Sequence, residues 1–156
     1  IGPWRENQGG GGERYLGKLK DGQRKYGTCI EIHEPLFSPT KLIKEYKRAR
    51  IFAYPSLAET GETFGLAVLE AMSCGCAPFV SSLDCFKEFI ETSRSGFVFD
   101  HKTGKCREAM QSGLREILMN ESGQKAVSRE ARRVAKSFEL DNVSARYLKD
   151  FARILA

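Results

Sequence analysis

Apolar residues come in two periods along this chain. Short runs of four or five, Ile51-Phe52-Ala53-Tyr54, Ala77-Pro78-Phe79-Val80 and Gly96-Phe97-Val98-Phe99-Asp100, have the length and bulk of buried strands. Cys29-Ile30-Glu31-Ile32-His33 alternates and predicts a fourth strand. Between them the period becomes helical. Ser38-Pro39 supplies an N-cap and a first-turn proline for a helix to about Arg48, with Leu42, Ile43 and Tyr46 on one face. A nearly all-apolar helix from Gly65 to Cys74 ends at Gly75. Residues Cys85 to Glu91 suit one or two helical turns, and helices are predicted over about 104–118, 121–137 and 141–155. The glycine run Gly9 to Gly12 reads as a loop before a short helix over 13–20, without the strand and spacing of a phosphate-binding G-x-G-x-x-G.

Strands alternating with helices predict parallel β-α-β units in an α/β, doubly wound parallel sheet. Such sheets bind ligands at the carboxyl ends of their strands. The polar loop Pro55 to Phe64 leaves a strand there and enters a helix, so chemistry is expected in it. The amino end of that helix presents unpaired N–H groups and a favourable dipole for a phosphate. Glu62 stands just before this end, either as a dipole-stabilising carboxylate or as an acceptor for sugar hydroxyls. Glu70 is the one Asp, Glu, Lys or Arg between Phe64 and Pro78. Small residues flank it at helical spacing, which leaves room for a ribose diol. Alternatively it marks the solvent edge of the helix.

Composition changes this picture little. The chain has 156 residues, 41% of them hydrophobic, 29% charged, and a net charge of +5, ordinary values for a globular domain. No apolar run reaches the roughly 18 residues of a membrane span, and the first residues lack the pattern of a signal peptide. The basic residues are dispersed on helix faces, which favours solvated surfaces over nucleic-acid binding. The basic face Lys41, Lys44, Lys47, Arg48 and Arg50 admits a peripheral membrane contact. Five cysteines, an odd number, point to reduced thiols and a cytoplasmic protein. Cys74-Gly75-Cys76 has the wrong spacing for zinc, and no metal or other cofactor is expected.

The segment Pro55-Ser56, Glu62-Thr63-Phe64-Gly65-Leu66, Glu70-Ala71-Met72, Gly75 and Pro78 resembles the E-x7-E signature of the family-4 retaining glycosyltransferases, which have the GT-B architecture. The glutamates stand eight positions apart, as that signature requires. The opening Ile1-Gly2-Pro3 is similar to the end of that family's second strand in its C-terminal domain. Residues 46–54, the stretch Ser95 to Asp100 and the helical tail are also similar to that domain. The resemblance thus implies that residues 1–156 are a single partial nucleotide-sugar-binding domain, Rossmann-like, incomplete at its N-terminus, with a helical tail over about 121–156.

The resemblance further implies a donor-binding domain that helps transfer a hexose from a nucleoside-diphosphate sugar to an unknown acceptor. Glu62 would be catalytic, contacting the donor sugar. Backbone N–H groups of Phe64, Gly65 and Leu66 would hold the diphosphate, and Glu70 the ribose. Leu36 and Phe37 would wall the base. Glu88 is similar to the family's next glutamate, but the glycine pair that precedes it in many relatives is replaced by Asp84-Cys85-Phe86. Asp84 is expected to cap the short helix, and Glu59 to be solvated. The family's phosphate-neutralising Arg and Lys, and its N-terminal acceptor domain, would lie upstream, so the 156 residues alone are expected to be inactive. Two other readings compete: a different GT-B chemistry, such as an epimerase or glucan synthase, and a degenerate binding or scaffold domain of the same fold.

Overall fold

The computed structural model describes residues 4–8 and 10–155. The expected strand end at Ile1-Gly2-Pro3 lies outside the described residues. The chain divides into two compact units, Ile1–Lys44 and Glu45–Ala156.

In the first unit, α1 (Gly12–Tyr26) extends the short helix expected there and ends at Gly27. The strand expected over 29–33 does not form. Gly27–Cys29 is a single 3-10 turn, and residues 30–38 carry no regular secondary structure. Its alternation is short, with Ile30 38% exposed, and Glu31 and His33 pair with each other at 3.2 Å. A strand needs a partner strand for its backbone groups, and among the described residues none pairs here; Ile30 O accepts instead from Gln23 Nε2 at 2.9 Å. The second predicted helix, α2 (Pro39–Arg48), forms as expected.

The second unit contains β1 (Ile51–Tyr54), α3 (Leu66–Ser73), β2 (Ala77–Ser81), β3 (Phe97–Phe99), α4 (Cys106–Met119), α5 (Glu121–Lys136) and α6 (Leu140–Leu155). All strand pairs are parallel, in the order β1-β2-β3. Among the described residues the sheet therefore has three strands where the sequence predicts four. Both its faces are covered, as a doubly wound sheet requires. All five residues of β2 are buried, and side chains alternate across it. On one face Val80 joins Val68, Leu69 and Met72 of α3, Phe86, Phe89, and Ala131 and Ala135 of α5. On the other, Phe79 packs on Phe99 and on Ile117 of α4.

Local chemistry sets the ends of α3. Gly75 adopts φ +95°, and its N–H donates to Met72 O at 3.0 Å while Cys76 N–H reaches Ala71 O at 3.0 Å. This paired closure satisfies the last carbonyls and turns the chain into β2. The expected tail splits in character. α5 is capped by Asn120, which accepts from Gly123 N–H at 2.9 Å, and it packs on α3 and β2. No described residue of α6 is buried.

Candidate donor site at the carboxyl end of the sheet

The loop Pro55 to Phe64 leaves β1 at its carboxyl end and is held there mainly by side chains. Ser81 Oγ, at the end of β2, donates to Ser56 O. Phe64 closes the loop, its ring 5.4 Å from Phe89 and 5.8 Å from Phe138.

Gly65 opens α3 in the left-handed region, at φ +79°. A Cβ there would stand 2.4 Å from Cε1 of Phe86. The glycine is thus required by the fold itself, by backbone sign and by the ring beneath it. Glu62 reaches this same point. Its Oε1 accepts the Gly65 N–H at 3.0 Å, and its Oε2 accepts the Tyr54 hydroxyl at 2.6 Å. The carboxylate therefore caps the helix start, where its charge also suits the helix dipole. The N–H groups of Phe64 and Leu66 have no intramolecular partner among the described residues. They remain open to an anion.

Glu70 lies about one helical turn beyond Leu66, the first residue of α3. It is exposed, on the face of α3 that also carries Leu66 and Ser73. It lines a cavity of about 600 Å³ with Phe64, Leu66, Glu88, Phe138 and Arg146. Glu62 does not line this cavity, so the structure brings Glu70 and Glu88 together but leaves Glu62 beside Tyr54. Leu36 and Phe37 belong to the first unit, in its segment without regular structure, and Phe37 is 73% exposed. Asp84 does not cap the short helix. Leu83 holds the cap position, while Asp84, inside the Asp84–Glu88 3-10 turn, pairs with Lys87 at 2.6 Å. Glu59 is not simply solvated either: it accepts from His101 and Lys102.

Two tyrosines that the sequence reading passed over flank the glutamates. Tyr54, the last residue of β1, has its hydroxyl pushed up to about 12 by the hydrogen bond to Glu62 and by burial. Tyr46 of α2 is pushed up to about 12 by burial and by the nearby Glu70 carboxylate. Their positions carried a signal, since Tyr54 ends a strand at the edge where ligands bind. A sign follows for stability. Both groups ionise near 10 when unfolded, so the unfolded chain loses protons first. Stability should be flat to about pH 9 and fall from about 10 to 12, and Tyr54→Phe should remove part of that fall. Urea titrations across this range check it; an undiminished alkaline fall in Tyr54→Phe would remove Tyr54 from the account.

The sequence profile of the family described as glycosyl transferases group 1 matches residues 9–134. The chain belongs to that family. It is 24% identical over 134 residues to the alpha-galactosylglucosyldiacylglycerol synthase of Streptococcus pneumoniae (strain ATCC BAA-255 / R6), covering 82% of this chain and 33% of that protein. It is 27% identical over 119 residues to the D-inositol 3-phosphate glycosyltransferase of Rhodococcus jostii (strain RHA1), covering 75% of this chain and 25% of that protein. The chain thus spans a quarter to a third of these relatives. Among solved structures it is similar to sucrose-phosphate synthase from Thermosynechococcus elongatus, with a TM-score of 0.71 at 18% identity over 88% of this chain and 33% of that one. It is also similar to Anabaena HepE in complex with UDP-glucose, with a TM-score of 0.67 at 19% identity over 92% and 37% of the two chains. These likenesses establish the shared GT-B-type fold of the group 1 domain. Among the described residues no cluster of three His, Cys, Asp or Glu could hold a metal, and no helix is long and apolar enough to cross a membrane.

Proposed function

We propose that this group 1 domain binds the donor of a retaining glycosyltransferase, which moves a hexose from a nucleoside-diphosphate sugar to an acceptor. The observation that carries the reading is the amino end of α3, where Phe64 and Leu66 keep open N–H groups beside Glu62, with Glu70 about one turn further along the helix on an accessible face. A diphosphate sits against the open N–H groups, whose dipole stabilises the leaving charge as the sugar departs. Glu70 accepts from the ribose hydroxyls and Glu62 from the donor sugar. Anabaena HepE, a neighbour in fold, holds UDP-glucose, which supports this class of ligand. The remainder of a longer chain supplies the acceptor site and the cations for the diphosphate. The domain works in the cytoplasm, where its thiols stay reduced, on its own or against a membrane surface.

One observation favours a second reading. The Gly65 N–H is already taken by Glu62, and Glu62 and Glu70 do not line one cavity. A degenerate binding domain that kept the fold would look the same. Release of nucleoside diphosphate from UDP-, GDP- and ADP-sugars by the full-length protein separates the two, and donor titration repeated with Glu70→Ala tests the site. Transfer chemistry requires at least one donor to bind, and Glu70→Ala should weaken it by about 1–3 kcal/mol, the scale of hydrogen bonds to a charged group. Equal affinity of the variant would remove Glu70 from the site.

A further inference from the structure

A second polar cluster stands at the carboxyl ends of the strands, and neither the motif nor the proposed donor contacts use it. His101, just past β3, is almost enclosed, its side chain 5% exposed. Its Nδ1 lies 2.8 Å from Ser82 Oγ, just past β2, and its backbone N–H donates to the same oxygen at 3.4 Å. Its Nε2 lies 2.6 Å from Oε1 of Glu59, which is 52% exposed. Lys102 Nζ also approaches that oxygen, at 3.4 Å. The hydrogen bond from His101 holds the Glu59 carboxyl below the usual range against the opposing cost of burial, and the charge of Lys102 adds a smaller push in the same direction as His101.

The topology gives this contact leverage. Loop 55–64 departs from β1, at one edge of the sheet, and β3 is the other edge. Two strand spacings, about 10 Å, separate them. Ser81 holds the start of the loop at the end of β2, and Glu59 carries its middle across to the end of β3. Four residues after Ala58 the loop returns with Glu62 to Tyr54 of β1 and to the Gly65 N–H.

We propose that Glu59 and His101 are positioning residues: their contact pins loop 55–64 across the strand ends and thereby holds Glu62 at the amino end of α3. With Nε2–H donating to Glu59 and the Ser82 hydroxyl donating to Nδ1, the ring satisfies a neighbour on each side. Lys102 Nζ adds a second contact to the same Glu59 oxygen.

The consequence for donor binding rests on the function proposed above; the pin itself does not. The Gly65 amide reports on Glu62 directly, because it donates to that carboxylate. In the full chain, labelled with ¹⁵N, Glu59→Ala should lower the exchange protection of the Gly65 amide about 2- to 5-fold, the scale of a partly exposed ion pair, with UDP-glucose affinity falling in parallel. Glu59→Gln keeps an acceptor for Nε2–H and should restore most of that protection. Unchanged protection in Glu59→Ala, or a loss in Glu59→Gln as large as in Glu59→Ala, overturns the proposal. If protection falls and is restored as expected while no nucleotide sugar binds, the pin stands and the donor reading fails.

Discussion

Gly65→Ala should destabilise the fold by about 2–5 kcal/mol. Two independent causes add. A residue with a Cβ at φ +79° costs about 1–2 kcal/mol in the left-handed region. The new methyl would then meet the Phe86 ring at 2.4 Å, and Phe86 is only 2% exposed within the main core, so the ring has little room to retreat. Forcing extra volume into such a place costs about 1–3 kcal/mol more. Chemical denaturation of the variant checks the sum, and a double variant separates its parts. With Phe86→Leu in place the steric share of the Gly65→Ala cost should shrink while the backbone share remains, a coupling that a two-variant cycle reads directly. A total cost below about 1 kcal/mol would mean that this position does not hold its left-handed geometry.

Glu62→Gln should lower turnover of the full-length enzyme by about a hundredfold while leaving nucleoside-diphosphate affinity within about twofold, the pattern of a group that acts on the transition state. The structure sets the terms of this test. Glu62 is engaged twice, by the Tyr54 hydroxyl and by the Gly65 N–H, so truncation to Ala would also remove a helix cap worth about 1 kcal/mol. Gln retains an acceptor oxygen for the cap and isolates the charge. Steady-state kinetics with the best donor, beside calorimetry with the bare diphosphate, gives the split. Equal losses in turnover and in affinity would make Glu62 a ground-state binding group, and no loss in either would leave it a cap alone.

The two glutamates stand differently in the structure although one motif contains both. Glu70 stands exposed at the rim of a cavity with Tyr46 close by, whereas Glu62 is held by two of the protein's own hydrogen bonds. The donor reading asks Glu62 to keep Tyr54 and Gly65 as partners and meet a sugar as well, which a carboxylate with about four lone-pair sites can do. The high Tyr54 ionisation keeps that hydroxyl a donor throughout the physiological range.

Much of the fold was legible in sequence because its signals are local. The apolar runs at 51–54 and 77–80 became β1 and β2, nearly to the residue, since buried parallel strands have little choice but continuous apolar side chains. Pro39 and Gly75 fixed the start of α2 and the end of α3 through backbone torsions that depend on one residue each. The strand expected at 29–33 was not legible in the same way. Alternation over five residues states a preference, and whether a partner strand stands alongside is not written in those residues.

By itself, then, the sequence determined the α/β class, the order of elements in the second unit, and the place of Glu62 just before α3 and of Glu70 within it. These follow from period, turn chemistry and spacing, which act within a few residues. Only the tertiary structure decided that Phe86 makes Gly65 obligatory, that Tyr54 and the Gly65 amide occupy Glu62, and that His101 meets Glu59 from 42 positions away. Such meetings depend on which strand ends lie side by side, and parallel pairing joins segments whose separation along the chain carries no local trace.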